Sequence, residues 1–203
     1  MIKLFIFGFE GVMVPWHENT LLVKMAEYLE VSPQDFKNVY DENSPLAKSG
    51  TINLNQLYIK IFKELPIKNK QVDKAISYHE EQYFKNMERK DKTMMNLVSQ
   101  LRTKRRLTCI VNPEITPGNL EARFEFDKLF HQTYFSSSMK MGKEDPRILK
   151  DIMEDQGISP GNTVFIDHDI NNVMMANKLG INGIYYDHIS SLVKAIYELI
   201  KND

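Results

Sequence analysis

Lys3-Leu4-Phe5-Ile6-Phe7-Gly8-Phe9-Glu10-Gly11-Val12 opens the chain with an apolar run that ends in a glycine-flanked turn. The run is short and lacks strict alternation, the pattern of a strand buried on both faces. Four later runs share it: Leu107–Val111, Gln132–Phe135, Thr163–Ile166 and Gly183–Tyr186. Helical periodicity fills the gaps between them, over Leu120–Phe130, Pro146–Gln156 and Ile170–Leu179, the last stopped by Gly180. Ser190–Lys201 carries Leu192, Val193, Ile196, Leu199 and Ile200 at helical spacing. Strands alternating with helices predict an α/β fold, a Rossmann-like parallel sheet with helices on both faces.

Residues 17–86 break this rhythm. They hold no convincing strand and four helical patterns, Thr20–Leu29, Pro33–Tyr40, Leu54–Leu65 and Gln71–Phe84. Turns are expected at Ser32-Pro33, Ser44-Pro45, Ser49-Gly50 and Pro66. The reading is a core of residues 1–16 and 87–203 with a helical cap subdomain, 17–86, inserted after the first strand. Ligands bind at the carboxyl edge of such a sheet, so a cap rooted there covers the site.

The bulk numbers exclude several classes. The chain has 203 residues, 42% hydrophobic and 26% charged, with a formal net charge of −1. Neither nucleic acid nor a membrane is expected as a partner, because counterion release needs a concentrated basic surface. The densest basic stretch, Arg102-Thr103-Lys104-Arg105-Arg106, is read as the close of a helix, where cations favour the negative end of the dipole. The single cysteine, Cys109, lies in an apolar run and is read as a buried, inert thiol. The apolar N-terminus is only about seven residues long, too short for a signal sequence, and no stretch approaches the roughly 18 residues of a membrane span. The expected location is the cytoplasm.

Four segments sit at predicted strand ends in order. They are Phe7-Gly8-Phe9-Glu10-Gly11-Val12, Ile110-Val111-Asn112, Ser136 to Pro146 with Lys143-Glu144-Asp145-Pro146, and Val164-Phe165-Ile166-Asp167-His168-Asp169. Together they resemble the four motifs of the haloacid dehalogenase superfamily, with a small helical cap after the first. The resemblance spans nearly the whole chain. It implies phosphoryl transfer or dehalogenation through an aspartyl intermediate, with a second acidic residue as general acid and base. In phosphatases of the family, Mg²⁺ offsets repulsion between carboxylate and phosphate, while a hydroxyl and a lysine bind the oxyanions.

This sequence departs from that pattern at several places. Gly8 stands at the nucleophile position and can neither attack nor ligate a metal. Glu10 stands where the acid/base Asp belongs and is one methylene longer; displacements of about 1 Å can cost on the order of a hundredfold in rate. Val111 replaces the hydroxyl residue, Asn112 is retained, and His168 follows Asp167 where a second acidic residue is usual. The resemblance therefore leaves Glu10 and Lys143 as the candidate catalytic residues, Asn112 and Lys143 as anion binders, and Asp167 as a residual metal ligand. Lys143 either binds an anion or pairs with Asp167. Asp169 either joins Glu10 and Asp167 around a metal or caps the helix from Ile170.

The expectation is a protein of this fold that has lost Asp-nucleophile chemistry and binds a small anionic ligand or a protein partner. No cofactor is expected, with Mg²⁺ only if activity remains. The alternative is a phosphatase-like hydrolase acting on a small phosphorylated metabolite by an unorthodox route, such as water attack with Glu10 as base.

Overall fold

The computed structural model describes residues 1–87 and 91–201. Of the expected core span, residues 88–90 and 202–203 therefore lie outside the described residues. In chain order the elements are β1 (Leu4–Gly8), α1 (Glu18–Leu29), α2 (Pro33–Lys48), α3 (Leu54–Glu64), α4 (Val72–Asn86) and α5 (Lys92–Arg102). There follow β2 (Arg106–Val111), α6 (Pro117–Phe124), α7 (Phe126–Leu129), β3 (Gln132–Phe135), α8 (Ser136–Met139) and α9 (Pro146–Gln156). The chain closes with β4 (Thr163–Asp167), α10 (Ile170–Lys178), β5 (Asn182–Tyr185) and α11 (Ile189–Ile200).

The strands form one parallel sheet in the order β3-β2-β1-β4-β5. β1 and β4, at the centre, are buried at every residue. Their side chains alternate between two apolar clusters. Phe5, Phe7, Leu107, Cys109, Val164 and Ile166 face one side, and Leu4, Ile6, Ile110 and Phe165 face the other. The second face is closed by α9, through Ile148, Leu149 and Ile152, and by Ala176 of α10. Burying side chains of this size contributes roughly 1.5–3 kcal/mol each. The fold is the expected α/β sheet with helices on both faces.

The inserted helices pack on one another, α1 against α2 and α4, and α3 against α2 and α4, while α2 also touches α8. Their apolar residues, among them Leu21, Met25, Tyr58 and Ile61, belong to the same cluster as Phe5 and Phe7. One core thus runs from the sheet into the insert.

Two local expectations change. Ser44-Pro45 is not a turn, because α2 continues through Pro45 to Lys48. A proline costs a helix its N–H bond and crowds the carbonyl four residues earlier. Here Tyr40, Asn43, Ser44 and Ala47 are all buried along that helix, and Asn43 Nδ2 donates to the Val39 carbonyl at 2.9 Å. The helix expected over Leu120–Phe130 is broken at Glu125, which takes a left-handed φ of 45° between α6 and α7. The break lets Phe124 and Phe126 both pack against Phe9, with ring centroids 5.0 and 4.8 Å away.

Three further local expectations hold. Gly180 has φ 78° just past α10. Cys109 is fully buried, and burial pushes its thiol well above the ordinary range. The basic run begins at the last residue of α5.

Candidate functional site

The carboxyl ends of β1, β2 and β4 converge on a cleft of about 450 Å³, lined from the core by Glu10, Trp16, Asn112, Lys143 and His168 and from the insert by Glu18, Pro45 and Lys48. Glu10, Asn112, Lys143 and Asp167, separated by up to 157 residues in sequence, form one polar cluster at its floor. The Lys143 ammonium lies 3.0 Å from Asp167 Oδ2, with both side chains almost wholly buried. Asp167 Oδ1 accepts from the Asp169 backbone N–H at 2.9 Å and from Asn172 Nδ2 at 3.4 Å. Lys143 has thus taken the second of its two expected roles, as partner of Asp167. Burial alone would lower the Lys143 pKa, but Asp167 and Glu10 beside it outweigh this and raise it.

Gly8 explains why the pair fits. A Cβ built on residue 8 would stand 2.7 Å from Asp167 Oδ2 and 3.4 Å from Asp167 Cγ. The carboxylate of β4 therefore fills the space in which any side chain on β1 would begin. A second close approach lies beside it: Gly11 has φ 78°, and the His168 ring stands 2.4 Å from where its Cβ would be. His168 therefore packs over the turn, 37% exposed, and its Nδ1 is 3.5 Å from Asp167 Oδ1. Burial, and then Lys143, lower its pKa, which favours the neutral ring.

Glu10 is buried as well. Both its oxygens accept from the Asn112 backbone N–H, at 3.3 and 3.2 Å, and Tyr83 Oη of α4 donates to Oε1 at 3.1 Å. Burial raises its pKa, against the lowering effect of Lys143 and these hydrogen bonds. Asn112 Oδ1 accepts from the Lys143 backbone N–H at 3.4 Å. Asp169 caps α10, accepting from Asn171 N at 2.8 Å, the helix-cap role expected of it.

A second cluster, which no motif pointed to, joins the insert to the core. Lys48 Nζ lies 2.8 Å from Glu18 Oε1 and 3.3 Å from Glu114 Oε1, and Tyr40 Oη donates to Glu114 Oε1 at 2.7 Å. Burial lowers the Lys48 pKa, but Glu114 and Glu18 reverse the effect and raise it. Tyr58 Oη and His79 Nδ1 are 2.8 Å apart, and Tyr83 stacks near His79 and beside Trp16. The contacts from Glu114 to Lys48 and Tyr40, and from Tyr58 to His79, join residues 21 to 74 positions apart that share no spacing rule.

The oxygens present do not make an octahedral Mg²⁺ site. Gly8 supplies no side-chain oxygen, Asp167 Oδ1 accepts two hydrogen bonds while Oδ2 is ion-paired with Lys143, and Glu10 is held by Asn112 and Tyr83. Among the described residues no group of three acidic, histidine or cysteine side chains is arranged to hold a metal ion.

The family model for haloacid dehalogenase-like hydrolases matches residues 2–180. The chain belongs to that family. A HAD-like family hydrolase of Porphyromonas gingivalis is 20% identical, with full coverage of both chains and a TM-score of 0.80. A HAD family enzyme of Bacteroides thetaiotaomicron is 21% identical over 95% of this chain and 98% of its own, with a TM-score of 0.76. That enzyme has also been crystallised with magnesium and inorganic phosphate, a form 22% identical over 95% and 99% of the two chains, with a TM-score of 0.74. At these identities the likeness shows the fold. No helix among the described residues is long and apolar enough to cross a membrane.

Proposed function

We propose that this protein keeps the haloacid dehalogenase-like fold as a binding scaffold, without Asp-nucleophile phosphatase or dehalogenase activity. In this reading α1–α4 are a cap over the cleft, and the protein works in the cytoplasm by holding a small ligand or a partner. One observation carries it: the Asp167 carboxylate occupies the space beside Gly8 and is ion-paired with Lys143. The position that would attack and the lysine that would neutralise phosphate are both filled by a contact between the protein's own side chains. The donor set described above also argues against Mg²⁺ as a resident cofactor.

The lining bears on the ligand. Glu10, Glu18, Glu144 and Asp169 stand against Lys48 and Lys143, and both lysines already have carboxylate partners. The small anion expected from Asn112 and Lys143 would have to displace one of those carboxylates. A neutral or cationic ligand rich in hydrogen-bond donors meets no such competition, and Trp16 offers it an aromatic face.

The test is hydrolysis of p-nitrophenyl phosphate with and without Mg²⁺. We expect no turnover above buffer, either from the protein or from Gly8→Asp, whose new Cβ would stand 2.7 Å from Asp167 Oδ2. Gly8→Ala should destabilise the fold by about 1–3 kcal/mol, the ordinary cost of overpacking. Mg²⁺-dependent turnover that vanishes in Glu10→Gln would instead establish the hydrolase reading, with buried Glu10 as base.

A further inference from the structure

At the opposite edge of the sheet, α5 and α11 enclose an apolar groove of about 500 Å³, walled by Leu97, Leu101, Val193, Ile196, Tyr197 and Ile200. Val193 and Tyr197 are 42% and 57% exposed, although α11 is otherwise a helix that packs its apolar face inward. Thr103, Lys104 and Arg105 line this groove and also a second cavity of about 350 Å³, which continues over Lys3, Arg102, Arg106 and His131. The two spaces share a wall, one apolar and the other basic.

Several cations of the basic cavity have no carboxylate partner among the described residues. Arg102 Nη2 donates to the Asp127 backbone carbonyl and Arg106 Nε to the Gln156 amide. Among the described residues no carboxylate lies within ion-pair distance of Lys3, Arg102, Lys104 or Arg106. Arg102 Nε is buried and has no acceptor. Buried donors are ordinarily satisfied, so this one marks a place for an acceptor that the described residues do not supply.

We propose that these adjoining spaces form a binding site for a free single-chain anionic amphiphile, such as a medium- or long-chain carboxylate, and that this site is independent of the cleft. Its chain would lie between α5 and α11, removing Val193 and Tyr197 from water. Its head group would meet Arg102, Lys104 and Lys3, where charge-assisted hydrogen bonds are shorter and stronger than neutral ones. The volumes lie within the range of small-molecule sites, about 300–1,000 Å³. Other occupants fit less well. A second copy of the chain docked about a two-fold axis would set this basic face against itself. A docking helix would span only the eight residues from Val193 to Ile200, about two turns, a length marginal for a helix in water. A bilayer takes protruding apolar side chains, whereas this surface is concave.

The experiment is titration of the full chain with dodecanoate below its micelle concentration, followed by calorimetry and by backbone amide shifts. Dodecanol, dodecylammonium and acetate are the comparison ligands. Dodecanoate should bind and move the amides of α5 and α11, while the other three bind at least about tenfold more weakly. Arg102→Gln and Lys104→Gln should each weaken dodecanoate binding by about tenfold, and Val193→Asp should abolish it. All three side chains reach solvent, so the variants are expected to fold, and circular dichroism checks this. Equal affinity for dodecanol, shifts confined to the cleft, or indifference to all three substitutions would each overturn the proposal. Co-sedimentation with phosphatidylglycerol vesicles that the same variants abolish would overturn it too, and assign the surface to a membrane.

Discussion

The two edges of the sheet treat charge in opposite ways. At the carboxyl edge Lys143 has Asp167, Lys48 has Glu18 and Glu114, and Glu10 has the Asn112 N–H and the Tyr83 hydroxyl. At the amino edge Lys3, Arg102, Lys104 and Arg106 have no carboxylate among the described residues. Apart from the buried Arg102 Nε, burial accounts for the difference. A charge taken out of water must be answered by a fixed partner, whereas an exposed one is answered by solvent. Under the function proposed above, the family's catalytic edge serves here as a compensated, structural one, and the edge with charge to spare lies on the other side of the sheet. If so, substitutions at the first edge should read out in stability, and those at the second should leave stability almost untouched.

The largest effect is expected at Asp167. Asp167→Ala strands the Lys143 ammonium, 6% exposed, without its counter-ion, and removes the acceptor of the Asp169 N–H. Breaking a buried pair from one side costs about 3–5 kcal/mol. Urea unfolding should show a lower midpoint with an unchanged slope. A loss below about 1 kcal/mol would mean that the pair is solvated and that the compensated edge is an illusion.

Next comes the pH dependence of the insert. His79 is fully buried, and burial pushes its pKa down to about 4, from an ordinary value near 6.5. Between those values the unfolded chain binds a proton that the folded chain does not, so stability falls as pH drops from about 6.5 to about 4. The full difference is on the order of 3 kcal/mol. Glu10 acts in the opposite sense. Its folded pKa is raised, so its contribution is largest at low pH and fades as pH rises through its titration. His79→Gln keeps a polar partner for Tyr58 and should flatten the acid limb. An unchanged limb would remove His79 as its cause.

Glu114→Ala should cost somewhat less, about 1.5–3 kcal/mol, the range for hydrogen bonds to charged groups. It leaves Tyr40 Oη without its acceptor but leaves Lys48 its contact with Glu18. Hydrogen exchange should localise the loss to α2 and the loop carrying Glu114. A loss spread evenly over the sheet would contradict a role in fastening the insert.

How far the sequence showed this contrast depends on the range of the forces. The central strands were legible because burial on both faces leaves continuous apolar runs. α9 was legible to the residue because Asp145 and Pro146 start it and Gly157 stops it. Gly8, Glu10, Asn112, Lys143 and Asp167 were legible as positions through their motifs. Their mutual arrangement was not, because a motif orders residues along the chain and says nothing of which neighbour each one turns to. The Lys48–Glu114–Tyr40 cluster left no trace, since its members share only a place in the folded molecule. Pro45 and Glu125 misled for a related reason: tertiary packing overrode a local preference of a few kcal/mol at most.

The smallest expected effect is the one that most sharpens the contrast. Lys104→Gln and Arg106→Gln remove exposed charges that no carboxylate of the described chain answers, and surface changes of this kind usually alter stability by less than about 0.5 kcal/mol. Any change should be toward greater stability at low salt, because removing one of several like charges relieves repulsion that the folded state concentrates. Raising the salt should erase the difference between variant and parent. A loss of stability that persists in salt would show that these residues hold the fold together, and the basic edge would then be as structural as the cleft.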